Sequence, residues 1–246
     1  MGEMTDISRK IDLTGAELLR QPTPSEGAPD WRMVRLDSRH MTAVRVLHSL
    51  VVDAQPEDKK NFILPRPDPY FEKFLNGDDG GNMMIGVVSG NGELIAKAVI
   101  FHPPAGAKTE DLGGAILQTP PEQTSIMQSA TVHPDYRGNG IFPAMIRHWQ
   151  DHARAFGKTC VHAEIEVRNE PSWRKFQEAG LAIVGTSKSP IDGASVYNAE
   201  ERIKYSLMKE FKAAAADTDS EQKIPEPDAI RATARTAQDY TEKPFI

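Results

Sequence analysis

The sequence predicts an α/β domain over residues 30–211. Segments in which apolar and polar residues alternate are interleaved there with segments whose apolar residues recur at helical spacing. Gly-Asn-Gly occurs twice, in different surroundings. In SGNGEL, Ser89–Leu94, it separates two apolar runs, and Asn-Gly in that setting is the strongest short hairpin signal. In DYRGNGIFPAM, Asp135–Met145, it separates a strand-like run from a run of helical period. The first copy turns one strand into its neighbour. The second joins a strand to a helix.

Taken in order, LTGAELLR, Leu13–Arg20, reads as a short helix capped by Thr14, with Glu17 at the capping-box position. QPTPSEGAPD reads as a linker, so residues 1–29 are expected to form a tail. WRMVRL, Trp31–Leu36, alternates like a strand. In RHMTAVRVLHSLVVD, Met41, Val44, Leu47, Leu50 and Val51 share one helical face. A second helix is predicted over Pro69–Leu75, followed by the hairpin strands NMMIGVV and ELIAKAVIF. His102–Gln123 is rich in Gly and Pro and reads as a long connection. SIMQSATV, Ser125–Val132, is the next strand, and after it Ile141, Met145, Trp149, Ala153 and Phe156 fall at helical spacing. TCVHAEIEV reads as a strand, EPSWRKFQEAG as a helix closed by Gly180, and LAIVGTS as a strand. ERIKYSLMKEFKAAAA is ambiguous, because its propensity favours helix while Ile203, Tyr205 and Leu207 alternate. Residues 212–246 are polar and punctuated by proline, which reads as a disordered tail.

Composition excludes several classes. Of 246 residues, 39 % are apolar and 26 % charged, as in a soluble globular protein. The formal net charge of −6 argues against a general binder of nucleic acid or of anionic membranes. The single cysteine, Cys160, allows neither an intrachain disulfide nor a thiolate cluster, and the seven histidines show no zinc-ligand spacing, so no metal is expected. No apolar run reaches transmembrane length and the N-terminus lacks a signal-peptide core, so the expected location is the cytoplasm.

A strand that runs through glycines straight into a helix can hold an anion. The first N–H groups of the helix lack partners within it, and the helix dipole favours negative charge there. Gly138 and Gly140 let the backbone approach a phosphate, and Arg137 adds a charge-assisted contact. The same residues also suit a plain strand-to-helix turn. In TCVHAEIEV, alternation places Cys160, His162, Glu164 and Glu166 on one face, an unusual polar row for a strand inside a sheet. Such a row is either catalytic, or solvated and ion-paired at an open cleft.

SATVHPDYRGNGIFPAMIRHW resembles the acetyl-CoA motif of the GCN5-related N-acetyltransferases (GNATs): a strand, a proline, Arg-x-x-Gly-x-small, then a helix. VRNEPSWRKFQEAGLAIVG is similar to the second signature of that family, and the two span Ser125–Gly185. The resemblance implies a mixed, splayed central sheet flanked by helices, in a single domain with flexible tails and a terminal strand at KYSLMKEF. It implies transfer of an acetyl group from acetyl-CoA, as cosubstrate, to a primary amine on a small molecule or peptide.

Residue by residue, Ala130, Thr131 and Val132 match the strand backbone that pairs with the pantetheine arm and offers an N–H to the thioester oxygen. Arg137 to Pro143 match the pyrophosphate loop, with donors at Gly138, Asn139, Gly140 and Phe142. Asn169 matches the asparagine that contacts the CoA arm, and Glu166 resembles the glutamate base of the family. Phe142 replaces a small residue, Pro143 removes one donor, and Phe176 stands where many members carry a tyrosine near the CoA sulfur. Without that phenol, the proton donor is Tyr205, Tyr136 or a water, or the thiolate leaves unaided. Its absence also supports an alternative, a non-catalytic acyl-CoA sensor. The acceptor is expected to be framed by Ala54–Asp79 and Phe101–Gln123, and Asp78 with Asp79 leans toward a cationic amine.

Overall fold

The chain forms strands β1 (Leu18–Arg20), β2 (Trp31–Leu36), β3 (Met83–Ser89), β4 (Leu94–Phe101), β5 (Thr124–Val132), β6 (Cys160–Glu166), β7 (Ala182–Lys188) and β8 (Ser195–Arg202), of which β2 to β7 are the alternating and apolar runs. The segments of helical period become α1 (Met41–Asp53), α2 (Asp68–Leu75), α3 (Ile141–Ala155) and α4 (Glu170–Glu178). This computed structural model describes residues 9–20, 30–60, 62–78, 80–109, 112, 115–189 and 191–203. The strands form one open sheet in the order β1-β2-β3-β4-β5-β6-β8-β7, antiparallel everywhere except between β5 and β6.

The first Gly-Asn-Gly does close a hairpin. Gly92 has φ +85° and donates its N–H to Ser89 O at 2.9 Å, while Ser89 N donates to Glu93 O at 2.9 Å. Every residue of β3 and β4 is buried, because helices cover both faces of the sheet there. Val44, Leu47 and Val51 of α1 pack with Phe71, Phe74 and Leu75 of α2 on one face. Met145, Ile146 and Trp149 of α3, with Phe176 of α4, fill the other. Trp149 is fully buried, and its indole N–H donates to Ser125 Oγ at 2.8 Å, which satisfies its one polar atom. Gly86 in β3 leaves no room for a methyl group. A Cβ there would lie 2.7 Å from Leu36 Cδ2 and 2.8 Å from Leu94 Cδ1, both on fully buried side chains. Gly86→Ala is therefore expected to lower stability by about 1–3 kcal/mol in chemical denaturation, the range for overpacking.

Two local expectations are corrected. Leu13–Arg20 is not a helix: Thr14 N donates to Asp12 Oδ1 at 2.9 Å, Gly15 takes φ +71°, and Leu18–Arg20 pairs with β2. The left-handed glycine ends any helical run, and pairing covers what would otherwise be an open sheet edge. Residues 9–11 also join that end, with Ile11 N donating to Gly92 O and Leu94 N to Arg9 O, both at 3.0 Å. Part of the expected tail is thus built into the sheet. The second correction is β8, inserted between β6 and β7, which alternation did not reveal because its buried residues include Asn198 and Glu200. The terminal strand expected at KYSLMKEF, from 204, and the tail 212–246 lie outside the described residues.

The splay has a local cause. β5 and β6 pair only where Thr124, Ser125 and Ile126 meet Cys160, Val161 and His162. On its other side, β5 sets Thr131 against Lys97 and Gln128 against Val99, so Ser129 and Ala130 together oppose Ala98. Ser129 takes φ +48° at this bulge, and fully buried Lys97 donates from Nζ to its carbonyl at 3.1 Å. A bulge bends its strand, and here the bend falls just where β5 parts from β6.

Candidate active site

The wedge between β5 and β6 is the floor of a cavity of about 720 Å³. Ala130 and Val132 line it, while Thr131 is turned away and buried. Beyond Ile126 the β6-facing edge of β5 has no strand partner, so its backbone polar groups are available to an extended ligand. At one end lies the second Gly-Asn-Gly. Gly138 has φ +82° and Gly140 φ +71°, and a Cβ at either would meet nothing within 4 Å. Gly140 is the N-cap of α3 and contributes no side chain, so the first N–H groups of this 15-residue helix stay uncapped. Asn139 braces the loop, its Nδ2 donating to Tyr136 O at 3.2 Å and Arg137 O at 3.3 Å. Arg137 is exposed beside it, with Nε 3.4 Å from Val132 O. Asn169, the N-cap of α4, lines the opposite wall. An uncapped helix start with an exposed arginine beside it thus adjoins an unpaired strand edge.

The polar row of β6 resolves into four different groups. Cys160 is buried, and burial pushes its thiol up to about 11, so it is inert at neutral pH. His162 is fully buried with Nδ1 3.1 Å from Glu200 Oε1, and Gln118 N donates to the same oxygen at 3.2 Å. Glu166 accepts from Arg168 twice, Oε2 from the backbone N–H and Oε1 from Nε, both at 2.7 Å. Both oxygens are thus occupied by the turn leading to α4. Glu164 is different: it lines the cavity, and its Oε1 has no hydrogen-bond partner among the described residues. Burial raises its pKa, opposed by the charges of His162 and Arg66.

The model of the acetyltransferase (GNAT) family matches residues 48–181, more than half of the chain. The chain belongs to the GNAT acetyltransferase family. Its fold matches the GNAT domain of S. lividans PAT at 18 % identity and TM-score 0.54, covering 79 % of this chain and 100 % of that one. It also matches yncA from Salmonella typhimurium, solved with its cofactor acetyl-CoA, at 16 % identity and TM-score 0.53, covering 71 % and 95 %. The Escherichia coli ribosomal-protein-S18-alanine N-acetyltransferase matches at 12 % identity and TM-score 0.51, covering 72 % and 96 %. Comparison with curated proteins finds no match. Among the described residues of this GNAT domain, no helix is long and apolar enough to cross a membrane, and no group of three or more His, Cys, Asp or Glu is placed to hold a metal ion.

The departures from the GNAT pattern have structural consequences. Phe142, large where the family has a small residue, turns inward and meets Phe176 edge-to-face at 5.3 Å; Phe176 in turn meets Trp149 at 6.2 Å. Phe176 is buried yet still lines the cavity. Tyr136 lines it too, edge-on to His133 at 5.7 Å, and Tyr205 lies outside the described residues. The lining differs from the frame expected for an acceptor. Residues 54–66 do wall the cavity, but the lining leaves out Phe101–Gln123, and the β7–β8 connection around Ser189–Ala194 takes that place. Asp78 does not line it either: its carboxylate accepts from Asn82 N at 3.0 Å and from Asn82 Nδ2 at 2.5 Å, and Asp79 is outside the described residues. Asp78 therefore gives no support to a cationic acceptor. Sequence reading missed Arg66, Tyr70, Lys97 and Gln128. Only Lys97 carried a signal, as the one charge within the apolar run of β4.

Proposed function

We propose that this protein is an N-acetyltransferase that moves an acetyl group from acetyl-CoA to a primary amine by direct attack on the thioester. The observation that carries this reading is the continuous path from the uncapped start of α3, along the unpaired edge of β5, to the carboxylates of β6. The residues fit the cosubstrate. The loop Arg137, Gly138, Asn139, Gly140 and Phe142 would hold the pyrophosphate, with open space beside both left-handed glycines. The backbone of Ala130, Thr131 and Val132 would pair with the pantetheine arm and offer an N–H to the thioester oxygen, with Asn169 on the opposite wall. Acetyl-CoA supplies the activated acyl group; the chain orients both reactants and moves protons.

The base is a carboxylate of β6. Glu166 is the residue that the family resemblance selects, but to accept a proton it must loosen a charge-assisted bond to Arg168. Glu164 needs no such exchange, and burial already shifts it toward neutral pH. We assign the base to Glu164, with Glu166 shaping the turn that presents Asn169. The test is thiol release from acetyl-CoA across a panel of primary amines on small molecules and peptides. Release with at least one class is expected. Tight acetyl-CoA binding with no release across the panel would instead favour the acyl-CoA sensor. We also place the protein in the cytoplasm, on its single, buried cysteine.

A further expectation concerns the missing phenol. Phe176→Tyr adds a hydroxyl to a ring that lines the cavity, and is expected to raise kcat several-fold with a weakly reactive amine, within the range of general-acid effects. Steady-state kinetics checks this, and an unchanged kcat with intact binding would show that thiolate protonation does not limit the rate.

A further inference from the structure

The acceptor end of the cleft holds a cation without its anion. Arg66 is half-buried on the cavity wall, its guanidinium 4.9 Å above the ring of Tyr70. That ring is fixed in turn: Tyr70 OH donates to Gln128 Oε1 at 3.1 Å, and Gln128 Nε2 donates to Leu112 O at 3.0 Å. Among the described residues no carboxylate lies within ion-pairing distance of Arg66, whereas nearby arginines are matched. Arg168 pairs with Glu166 at 2.7 Å and Arg45 with Asp68 at 3.1 Å.

Near Arg66 are two more basic groups, again with no ion-paired carboxylate among the described residues. Lys97 lies 4.8 Å from the Phe71 ring, and His48 meets the same ring edge-on at 5.1 Å. Burial first, and then the charge of Arg66, pulls the Lys97 ammonium down to about 7. Burial, then Lys97 and Arg66, hold His48 near 3. Burial and like charge both disfavour a further proton here, so a carboxylate brought by a ligand would meet cationic groups with no acid partner of their own among the described residues. Glu164 lines the same cavity, feels the charge of Arg66, and has an oxygen with no hydrogen-bond partner among the described residues. At the rim, exposed Lys59 and Asp192 offset each other and set no net sign.

A cation and a carboxylate that line one cavity without forming an ion pair are complementary to a molecule that carries both charges. We propose that the acceptor is zwitterionic, a small amine that also bears a carboxylate or similar acid group, with its acid on Arg66 and its amine at Glu164. This deepens the transferase reading and rests on it for the role of Glu164. Arg66, its guanidinium over the Tyr70 ring, can donate in bidentate fashion, which suits a planar carboxylate. A polyamine or other simple cation would meet Arg66 as a like charge.

The experiment compares amino acids with their carboxamides and their decarboxylated amines, in acetyl transfer and in calorimetric binding to the enzyme saturated with CoA. The acids are expected to show a kcat/KM about 10- to 100-fold above their neutralised partners, the range for a hydrogen bond to a charged group. Arg66→Gln should erase that preference, Arg66→Lys should keep part of it, and unchanged stabilisation by acetyl-CoA would show that both variants fold. Decarboxylated amines that react as well as the acids would overturn the proposal while leaving the transferase intact. A preference for acids that survives Arg66→Gln would also overturn it. If no amine is acetylated but the acids bind the CoA complex in an Arg66-dependent way, the anion subsite stands and the transferase reading fails. No binding and no reaction of any acid at millimolar concentration sinks the proposal.

Discussion

Gly140→Asp is expected to abolish the heat stabilisation that acetyl-CoA gives this protein, and Gly140→Asn to weaken it far less. Gly140 sits at the N-cap of α3 with φ +71°, at an uncapped helix start that lines the cavity beside the exposed Arg137. Asn and Asp both tolerate left-handed backbone better than other residues, so the two variants share their strain and differ in charge. A carboxylate about 4 Å from a phosphate costs about 4 kcal/mol at an effective dielectric near 20. At about 1.4 kcal/mol per tenfold, that loss is of order 1,000-fold in affinity. Gly92 has the same left-handed backbone, φ +85°, and the same open space, but it only turns the β3–β4 hairpin. Gly92→Asp should therefore bind acetyl-CoA like the unmodified protein. Thermal shift and calorimetry read both sites. Undiminished stabilisation in Gly140→Asp would refute the anion site, and an equal loss in Gly92→Asp would mean that charge alone, wherever placed, weakens binding.

These two glycines also show what the sequence makes legible. Their function differs because of their neighbours, strand and strand in one case and strand and helix in the other, and that difference is written in the apolar period. The faces of α1 and α3 were readable for the same reason, since burial selects every third or fourth residue. β1 was not readable. LTGAELLR has adequate helix propensity, and only pairing with the open edge of β2 makes its end a strand. The KYSLMKEF expectation passed over β8 because a strand whose buried face carries Asn198 and Glu200 leaves no apolar alternation to find. In the site, alternation placed Glu164 and Glu166 on one face but could not separate them. Their difference depends on where the Arg168 side chain goes, which is a matter of the turn after β6. Arg66 lies in the connection between α1 and α2, where no period exists to single out a residue. Its meaning comes from Tyr70 beneath it and from the lack of an ion-pairing carboxylate among the described residues.

The separation of the two glutamates leads to the largest expected effect on turnover. Glu164→Gln should lower kcat by about 100- to 10,000-fold, the contribution of a general base, with acetyl-CoA affinity unchanged. The base acts when ionised, and burial raises its pKa, so kcat of the unmodified protein should climb with pH through a value above the ordinary carboxylate range. Glu164→Gln should remove that acidic limb. Glu166→Gln should behave otherwise. It keeps one acceptor for Arg168 but removes the charge pairing, which loosens the turn carrying Asn169 at its end. The expected result is a raised KM for acetyl-CoA, a smaller fall in kcat and an unchanged acidic limb. The reverse pattern, with kcat and the limb lost in Glu166→Gln and kept in Glu164→Gln, would return the base to Glu166 and make the free oxygen of Glu164 a substrate contact only. If both variants keep full turnover, the proton must leave through water, and the carboxylates of β6 serve binding alone.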